Sequence, residues 1–464
     1  MTAATMTMQQ SLAHANADMA TMASATAGTG SDTGTKGSAI PVQTPRSYTG
    51  NPQKNSPALG ATLAYMGVDG LLALLHGSQG CSTFIRLQLS RHFKEPVPLN
   101  STALLEDTAI FGGWEHLKKG IAKAADKFKP RIIGVMSSGL TETFGDDMES
   151  AWSTLRQERP DLSDLPVVLA KTPDYIGSLQ EGYQRTARAL VETLAKDPAP
   201  REEQAVALFP GVHLTPADVE ELKDMVSLFG LTPLVLPDIS TSLDGHSELD
   251  PAPVVQGGIP LEDIRRIPGC VAAFSFGPSM AVVGEALQRM HGVPHMAIGS
   301  LTGLEAVDVF VLKLCQISGR PVPERLLRQR SRLLDTLADY HDQIGQKKIA
   351  LALESDLLIS LAGCLAEFGA VIQTALAATA PDPSAVPEGI PVVVGDLEHL
   401  EETAAGSHLI IANSNARQAA IPLKIPHLRA GLPVFDRAGM AQTVWIGYRG
   451  TQRFLIDCLN AMAV

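Results

Sequence analysis

The stretch His76-Gly77-Ser78-Gln79-Gly80-Cys81 decides the fold of this chain of 464 residues. The apolar run Tyr65–Leu75 precedes it, is short enough to be a buried strand, and is interrupted by glycines. After Cys81 the apolar residues fall mainly at helical spacing as far as Phe93. The sequence therefore predicts a strand, a glycine-bracketed loop and a helix, the repeating unit of a parallel α/β sheet.

Cys81 lies at the start of the predicted helix. The positive end of the helix dipole and the free N–H groups there favour a thiolate, which is the form of cysteine that binds metal. Gly77 and Gly80 carry no side chains, so a bulky inorganic group could come close to the backbone. These residues are candidate ligand (Cys81) and cofactor-contacting (Gly77, Gly80) positions. The alternative is that Cys81 is a buried, unreactive cysteine on an ordinary strand-to-helix turn.

Composition limits the class of protein. With 37 Lys and Arg against 49 Asp and Glu, the formal charge is −12, which argues against nucleic acid or an anionic membrane as the main partner. The 5 cysteines are widely spread and form no CxxC pair, so they predict neither a disulfide framework nor a complete metal site. This pattern favours a reducing cytoplasm. If Cys81 binds a metal cluster, most of the other ligands must come from another chain, and we expect the remaining cysteines to be core residues: Cys270, Cys315, Cys364 and Cys458.

The N-terminal residues 1–45 predict a disordered tail. They are rich in Ala, Thr, Met, Ser and Gly, with no Lys or Arg before Lys36, so they match neither a secretory signal nor a transit peptide. No later stretch offers about 18 uncharged apolar residues of the kind that spans a membrane.

Strand and helix patterns alternate in three successive regions, which predicts an α/β protein with three Rossmann-like domains. We place these domains at residues 46–200, 201–340 and 341–464, with the charged, proline-containing segment Lys196–Glu203 at the first boundary. Ligands of parallel sheets collect at the carboxyl ends of strands, so the loops after Leu75 and Val135 are the expected place for a site.

Other candidate sites are weaker. There is no Walker loop and no GxGxxG after a strand, and the cluster Phe276–Ser279 is a poor phosphate site. The loop Asp238–His246 offers carboxylates and an imidazole, although capping and turn hydrogen bonds are the favoured explanation for them. The residues Arg86, Arg91, His92 and Lys94 form a basic patch near Cys81, which could balance an anionic cluster or pair with surface acids.

Several motifs together resemble the nitrogenase component 1 superfamily. They occur in the expected order from about residue 50 to the C-terminus: His76–Cys81, Arg91–Pro96, Ile110–Gly113, Glu142–Asp147, Leu301–Asp308 and Gly447–Thr451. Within that family, the segments Pro210–Pro216, Leu236–Asp238 and Ser242–His246 are similar to the β-like subunit of the scaffold that assembles the iron–molybdenum cofactor. The resemblance implies the three-domain fold of nitrogenase component 1.

The departures from the family pattern concern the cluster ligands. The catalytic β subunit of the family contributes three cysteines to an eight-iron interface cluster, and in this sequence only Cys81 matches one of them. By the order of motifs the other two positions fall at Ser56 and Gly139, which cannot supply a thiolate. A single thiolate implies a smaller [4Fe–4S] cluster, with three cysteines from an α-like partner subunit.

The resemblance further implies an α2β2 heterotetramer that receives electrons from the nitrogenase iron protein. An iron–sulfur precursor, held mainly by the partner, would be matured with molybdenum and homocitrate and passed to the catalytic nitrogenase. The main alternative is a β-type subunit of a nitrogenase-like reductase acting on another substrate, and a third is a cluster-free α/β interaction protein. Because the loop around Cys81 is apolar, we also expect the chain to be poorly stable without its partner.

Overall fold

The computed structural model describes residues 53–104, 113–246 and 252–463. The predicted disordered tail at residues 1–45 and most of the motif Ile110–Gly113 lie outside these ranges. The described chain contains three parallel sheets, each covered by helices.

The first sheet and its helices come from the N-terminal part of the described chain. Its strands are β1 (Leu71–His76), β2 (Leu99–Ser101), β3 (Ile132–Ser137) and β4 (Val167–Ala170). They lie in the order β2-β1-β3-β4, and all pairs are parallel. The helices are α1 (Pro57–Met66), α2 (Gln79–His92), α3 (Trp114–Phe128), α4 (Gly139–Phe144), α5 (Met148–Glu158) and α6 (Leu179–Leu194).

The second sheet follows directly. Its strands are β5 (Glu202–Phe209), β6 (Thr232–Val235), β7 (Cys270–Phe276) and β8 (His295–Ile298), in the parallel order β6-β5-β7-β8. Its helices are α7 (Pro216–Ser227), α8 (Leu261–Ile264), α9 (Ala281–His291), α10 (Leu304–Ser318) and the long α11 (Glu324–Ile344).

The third sheet is the largest. Its strands are β9 (Lys348–Leu353), β10 (Val371–Ala377), β11 (Val392–Val394), β12 (Leu409–Ala412) and β13 (His427–Arg429), in the parallel order β11-β10-β9-β12-β13. Its helices are α12 (Ser355–Glu367), α13 (Leu397–Thr403), α14 (Arg417–Leu423) and the C-terminal α15 (Gly447–Met462).

Continuous apolar strands explain the double-sided burial of these sheets. Every residue of β1 is buried. Because side chains alternate along a strand, Leu71, Ala73 and Leu75 join the core on one face. Leu72 and Leu74 join a separate core on the other face. The alternating side chains of β1 therefore contribute to two cores, one on each face of the sheet. This is why the residues Leu71–Leu75 form an unbroken apolar run.

The predicted α/β fold with three parallel sheets is confirmed, and the strand prediction was wrong in two places. Tyr65 and Met66 are the last residues of α1 and do not belong to a strand. The chain turns at Gly70, whose φ of +71° favours glycine, before β1 begins. The short edge strand β2 begins at Leu99, and the sequence patterns did not predict it.

Helix α1 is buried along its whole length and packs on α6 through glycines. A Cβ atom built on Gly60 would lie 1.9 Å from the carbonyl oxygen of Leu179, and one on Gly182 would lie 1.9 Å from that of Pro57. The two backbones therefore touch directly at two points. This contact fixes the N-terminus of α1, and with it Ser56, against the first sheet.

We expect Gly182→Ala to destabilise the protein by about 1–3 kcal/mol or more, because the added methyl group has no room beside backbone atoms. The measurement is the midpoint of thermal unfolding of the purified chain. Gly299→Ala is the matched control, since a Cβ there meets nothing within 4 Å. Equal midpoints for the two variants would contradict the close backbone contact.

Among the described residues, no helix is both long enough and apolar enough to cross a membrane.

Candidate functional site

Cys81 lies in the first turn of α2, where the loop after β1 enters the helix. Ser78 is the N-cap: its hydroxyl accepts a hydrogen bond from the Cys81 amide at 3.4 Å and donates one to the Cys81 sulfur at 3.3 Å. The Cys81 side chain is exposed. The structure thus presents this thiol to the outside, at the positive end of a helix, with a hydroxyl donor beside it.

The two glycines of this loop have different surroundings. A Cβ on Gly77 would come within 3.1 Å of the Ser138 side chain, whereas one on Gly80 would meet only the Ser78 hydroxyl oxygen, at 3.8 Å. Gly77 therefore lets the loop after β1 lie against the loop after β3. Gly80 lies beside open space next to Cys81. The geometry leaves room for a bulky group to come close to this backbone, and its presence there stays a prediction.

His76, the last residue of β1, is buried and holds the base of the loop. One ring nitrogen, Nδ1, lies 3.1 Å from the Thr102 hydroxyl, and Nε2 lies 3.3 Å from a carboxylate oxygen of Asp146. Burial lowers the pKa of His76, with Asp146 opposing that shift. Asp146 also accepts from the Gly113 amide at 2.9 Å, so motifs that are distant in sequence meet here.

Ser56 and Gly139, the two positions where the resemblance predicts that cysteines of the family are missing, both lie beside Asp174. The Ser56 hydroxyl donates to the Asp174 carboxylate at 2.6 Å. A Cβ on Gly139 would lie 3.4 Å from the same carboxylate group. Because His76 pairs with Ser137 across β1 and β3, the loops that carry Cys81 and Gly139 leave the sheet side by side. A hydroxyl and a carboxylate thus lie together at this edge, where the resemblance predicts thiolates in the catalytic β subunit of the family.

Large apolar side chains around this edge are exposed. Phe84 is 70% exposed and Leu87 is 49% exposed. Phe84 shares a face of α2 with Cys81, since residues three apart are neighbours on a helix, and Leu87 is the neighbour of Phe84 one further step along the helix. The loops and helices after β3 and β4 add four more exposed apolar residues: Leu140, Phe144, Tyr175 and Ile176. We call these six residues the apolar rim. Such a surface marks a protein–protein contact.

The predicted basic patch is wrong in part. His92 is largely buried, its Nδ1 accepts from the Val434 amide at 2.9 Å, and burial lowers its pKa to about 4, so it is neutral near pH 7. Arg91 stacks on the Phe435 ring at 3.9 Å, and Lys94 donates to the Arg91 carbonyl at 2.6 Å. These groups therefore face the third sheet and the loop that follows it.

The other cysteines are structural. Cys270, Cys364 and Cys458 are buried, as predicted, and Cys315 is half-buried against the same core as Cys270. Burial raises the pKa of Cys270 to about 12 and also raises the pKa of the other three thiols. Their thiols stay protonated and do not compete with Cys81 as metal ligands.

The available metal-binding side chains determine which metal ion or cluster this chain can bind without a partner. Within the described ranges, no group of three or more His, Cys, Asp or Glu side chains is placed to bind a metal ion. One exposed thiol on an apolar surface fits a cluster whose other ligands come from a second chain. It does not fit a cluster carried by this chain alone.

Comparison with known proteins agrees with the fold and with these motifs. The family model described as "Nitrogenase component 1 type Oxidoreductase" matches residues 56–463, and the chain belongs to this family. The chain is 42% identical to the nitrogenase iron-molybdenum cofactor biosynthesis protein NifN of Rippkaea orientalis, over 89% of this chain and 93% of that protein. It is 34% identical to NifN of Klebsiella pneumoniae, over 88% and 90% of the two chains. The predicted resemblance is confirmed.

Solved structures give the same result for the fold. A chain of the structure described as "Nitrogenase Cp1 at pH 6.5" superposes with a TM-score of 0.85 and 27% identity, over 90% of this chain and 94% of that one. A chain of "Nitrogenase Cp1 at pH 5" gives a TM-score of 0.64 at 16% identity, which supports the fold alone.

Sequence reasoning missed two parts of this site. Asp174 follows a strand in a loop with no motif around it, so only the structure shows its contact with Ser56. Phe84 and Leu87 were placed among the apolar residues of the helix, and helical spacing could not show that they stay exposed. The signal that could have found Phe84 is its position three residues after Cys81, on the same face of the helix.

Proposed function

We propose that this chain is a scaffold subunit for biosynthesis of the nitrogenase iron–molybdenum cofactor, the role that the names of its relatives give. The observation that carries the proposal is Cys81, one exposed thiol amid the apolar rim, in a chain about 40% identical to NifN proteins over most of its length. A scaffold subunit needs such a surface because its cofactor site is completed by another chain. We place the protein in the cytoplasm, where its free cysteines stay reduced.

The partner in this proposal is the α-like scaffold subunit NifE, in an α2β2 heterotetramer. Cys81 would be this chain's ligand to a [4Fe–4S] cluster at the interface, and three thiolates of NifE would complete the site. When bound, that cluster supplies one-electron transfer. The residues of this chain would hold it in place: the α2 N-terminus and the Ser78 hydroxyl stabilise negative charge on the Cys81 sulfur, and Gly80 leaves its backbone open.

The remaining partners follow from the same role. The nitrogenase iron protein would deliver electrons, and a cofactor precursor from its donor would rest mainly on NifE during maturation before transfer to the catalytic nitrogenase. The proposal gives this chain a part in assembly and no reaction of its own. The alternative function is a subunit of a nitrogenase-like reductase. Under that alternative, the nitrogenase of the same cell would keep its molybdenum cofactor when this chain is removed.

The deciding experiment is removal of this chain from a nitrogen-fixing host. We expect the catalytic nitrogenase from that strain to lack its molybdenum cofactor while keeping its other iron–sulfur cluster. Adding the purified complex with iron protein, molybdate and homocitrate should restore molybdenum content and activity. Cofactor-replete nitrogenase from the deletion strain would exclude the scaffold role and favour the reductase.

The apolar rim should carry the contact with NifE. We expect the double variant Phe84→Ser, Tyr175→Ser to weaken that contact by roughly several hundred-fold, because buried aromatic anchors contribute about 2 kcal/mol or more each to binding. Co-purification with tagged NifE, followed by a titration, measures the loss. Leu334→Ser is the control, since Leu334 is an exposed apolar residue on α11, away from the rim. Unchanged affinity in the double variant would contradict this placement of the interface.

A further inference from the structure

A second surface feature lies on the third sheet. A groove of about 760 Å³ runs between α14, β13 and the C-terminal part of the chain. Its apolar floor includes Ile421, which is 61% exposed, and Leu428. Pockets for small molecules typically measure about 300–1,000 Å³, so the groove is large enough for a small organic molecule.

The groove is basic. Arg417, Lys424, Arg429 and Arg437 line it, and the one carboxylate among its lining residues is Asp457. Asp457 already has partners: it accepts from the Trp445 ring N–H at 3.0 Å and from Arg453 at 2.8 Å. It is therefore not available to balance the arginines and lysine of the groove.

Three of the four cations remain unbalanced. Arg429 forms an ion pair with Asp436 at 2.6 Å. Arg417, Lys424 and Arg437 form no ion pair with a carboxylate in the part of the chain that the structure describes, and all three side chains are exposed. Like charges repel one another, and an anion with several negative groups bound among these side chains would relieve that repulsion.

The backbone at Lys424 adopts a left-handed conformation at the end of α14. Lys424 is the residue at the end of α14 and has a φ of 54°, in the left-handed region that normally favours glycine. Glycine would avoid the strain at this position. Lysine there places a positive charge at the mouth of the groove instead.

We propose that this groove binds a small organic anion with two or more carboxylate or phosphate groups. Guanidinium groups of Arg417 and Arg437 match the geometry of either acid, since two N–H donors reach two oxygens at once. Lys424 adds a third positive charge, and the apolar floor accommodates the carbon skeleton of the ligand. The proposal is independent of the iron–sulfur site, because none of these residues belongs to the edge that carries Cys81.

Isothermal titration of the purified full-length chain tests this proposal, at low ionic strength with citrate and with pyrophosphate as probes. We expect saturable binding of at least one probe, and at least about tenfold weaker binding by the variant with Arg417, Lys424 and Arg437 all changed to Gln. Citrate offers only carboxylates and pyrophosphate only phosphates, so their relative affinities show which group the site prefers.

The control variant removes the same charge from exposed cations elsewhere: Lys119→Gln, Lys123→Gln and Arg289→Gln. It should bind the probe as the natural chain does. The proposal is wrong if neither probe binds saturably, if the groove variant binds as tightly as the natural chain, or if the control loses as much affinity. Loss of an acidic protein from the groove variant, with neither probe binding, would instead make the groove a docking surface for that protein.

Discussion

Changing Cys81 to alanine should remove most of the iron of the proposed interface cluster from the purified complex, or alter its reduced-state EPR signal. The reason is the donor set: Cys81 is the exposed thiol of this chain, and the neighbouring positions Ser56 and Gly139 offer no replacement sulfur. A [4Fe–4S] cluster usually takes four cysteines, so in this variant the proposed cluster would lack one of its ligands and be held less firmly. Iron content and EPR of the anaerobically co-purified complex are the measurements.

Ser56→Ala is the matched control for this experiment. Ser56 lies on the same edge and donates to Asp174, but it carries no sulfur, so its loss should leave iron content unchanged. The Cys81 variant must still form the complex for the result to concern ligation, and gel filtration shows this. If iron and spectrum are the same in Cys81→Ala and in the natural chain, Cys81 is a structural residue and the interface-cluster proposal fails.

Local sequence determines much of the first sheet and of the Cys81 turn. The apolar run before His76 was predicted to contain a buried strand and does contain β1, because a buried parallel strand is apolar on both faces. The helix start at Cys81 followed from glycines in the loop and helical spacing after it, and Ser78 provides the cap. These features depend on neighbours along the chain, which the sequence contains.

Features that depend on distant contacts were not predictable. Strand β13 has only three residues directly after Pro426, so no periodicity could develop. His92 was counted as a cation, but its burial against Val434 makes it neutral, and burial by another domain leaves no local pattern. Phe84 illustrates the same limit for an exposed residue. Helical spacing predicts which apolar residues lie on one face of a helix, but it does not predict whether this chain or a partner chain covers that face.

Buried carboxylates at the start of α6 and just after β9 should make the stability of the folded chain depend strongly on pH. Glu354 follows β9, and one of its carboxylate oxygens has no hydrogen-bond partner in the structure. The Ser178 hydroxyl lies 2.7 Å from the other oxygen and 2.8 Å from a carboxylate oxygen of Glu181. One hydroxyl has a single hydrogen and cannot donate to both. A protonated Glu354 resolves this conflict, since it can donate to Ser178 while Ser178 donates to Glu181.

Burial accordingly raises the pKa of Glu354 to about 8 and that of Asp356 to about 7. In the unfolded chain both carboxyls ionise near their ordinary pKa values, so between those values and the raised ones the folded state binds more protons. Stability must then fall as pH rises through this window. Buried histidines have the opposite effect: burial lowers the pKa of His213 and His427 to about 4, so their contribution changes only below the ordinary histidine pKa of about 6.5.

Between about pH 6.5 and pH 8, the change of stability with pH therefore comes from the buried carboxylates and not from the buried histidines. Over it we expect the free energy of unfolding to fall by roughly 2 kcal/mol through Glu354 alone, at about 1.4 kcal/mol per pH unit. Glu354→Gln should match the natural chain near pH 6.5 and exceed its stability near pH 8, because the amide cannot ionise. Thermal midpoints across this range measure the difference, with the exposed Glu203→Gln as control. The same pH slope in Glu354→Gln and in the natural chain would show that Glu354 is already ionised in the folded protein, and the network through Ser178 would need a different proton arrangement.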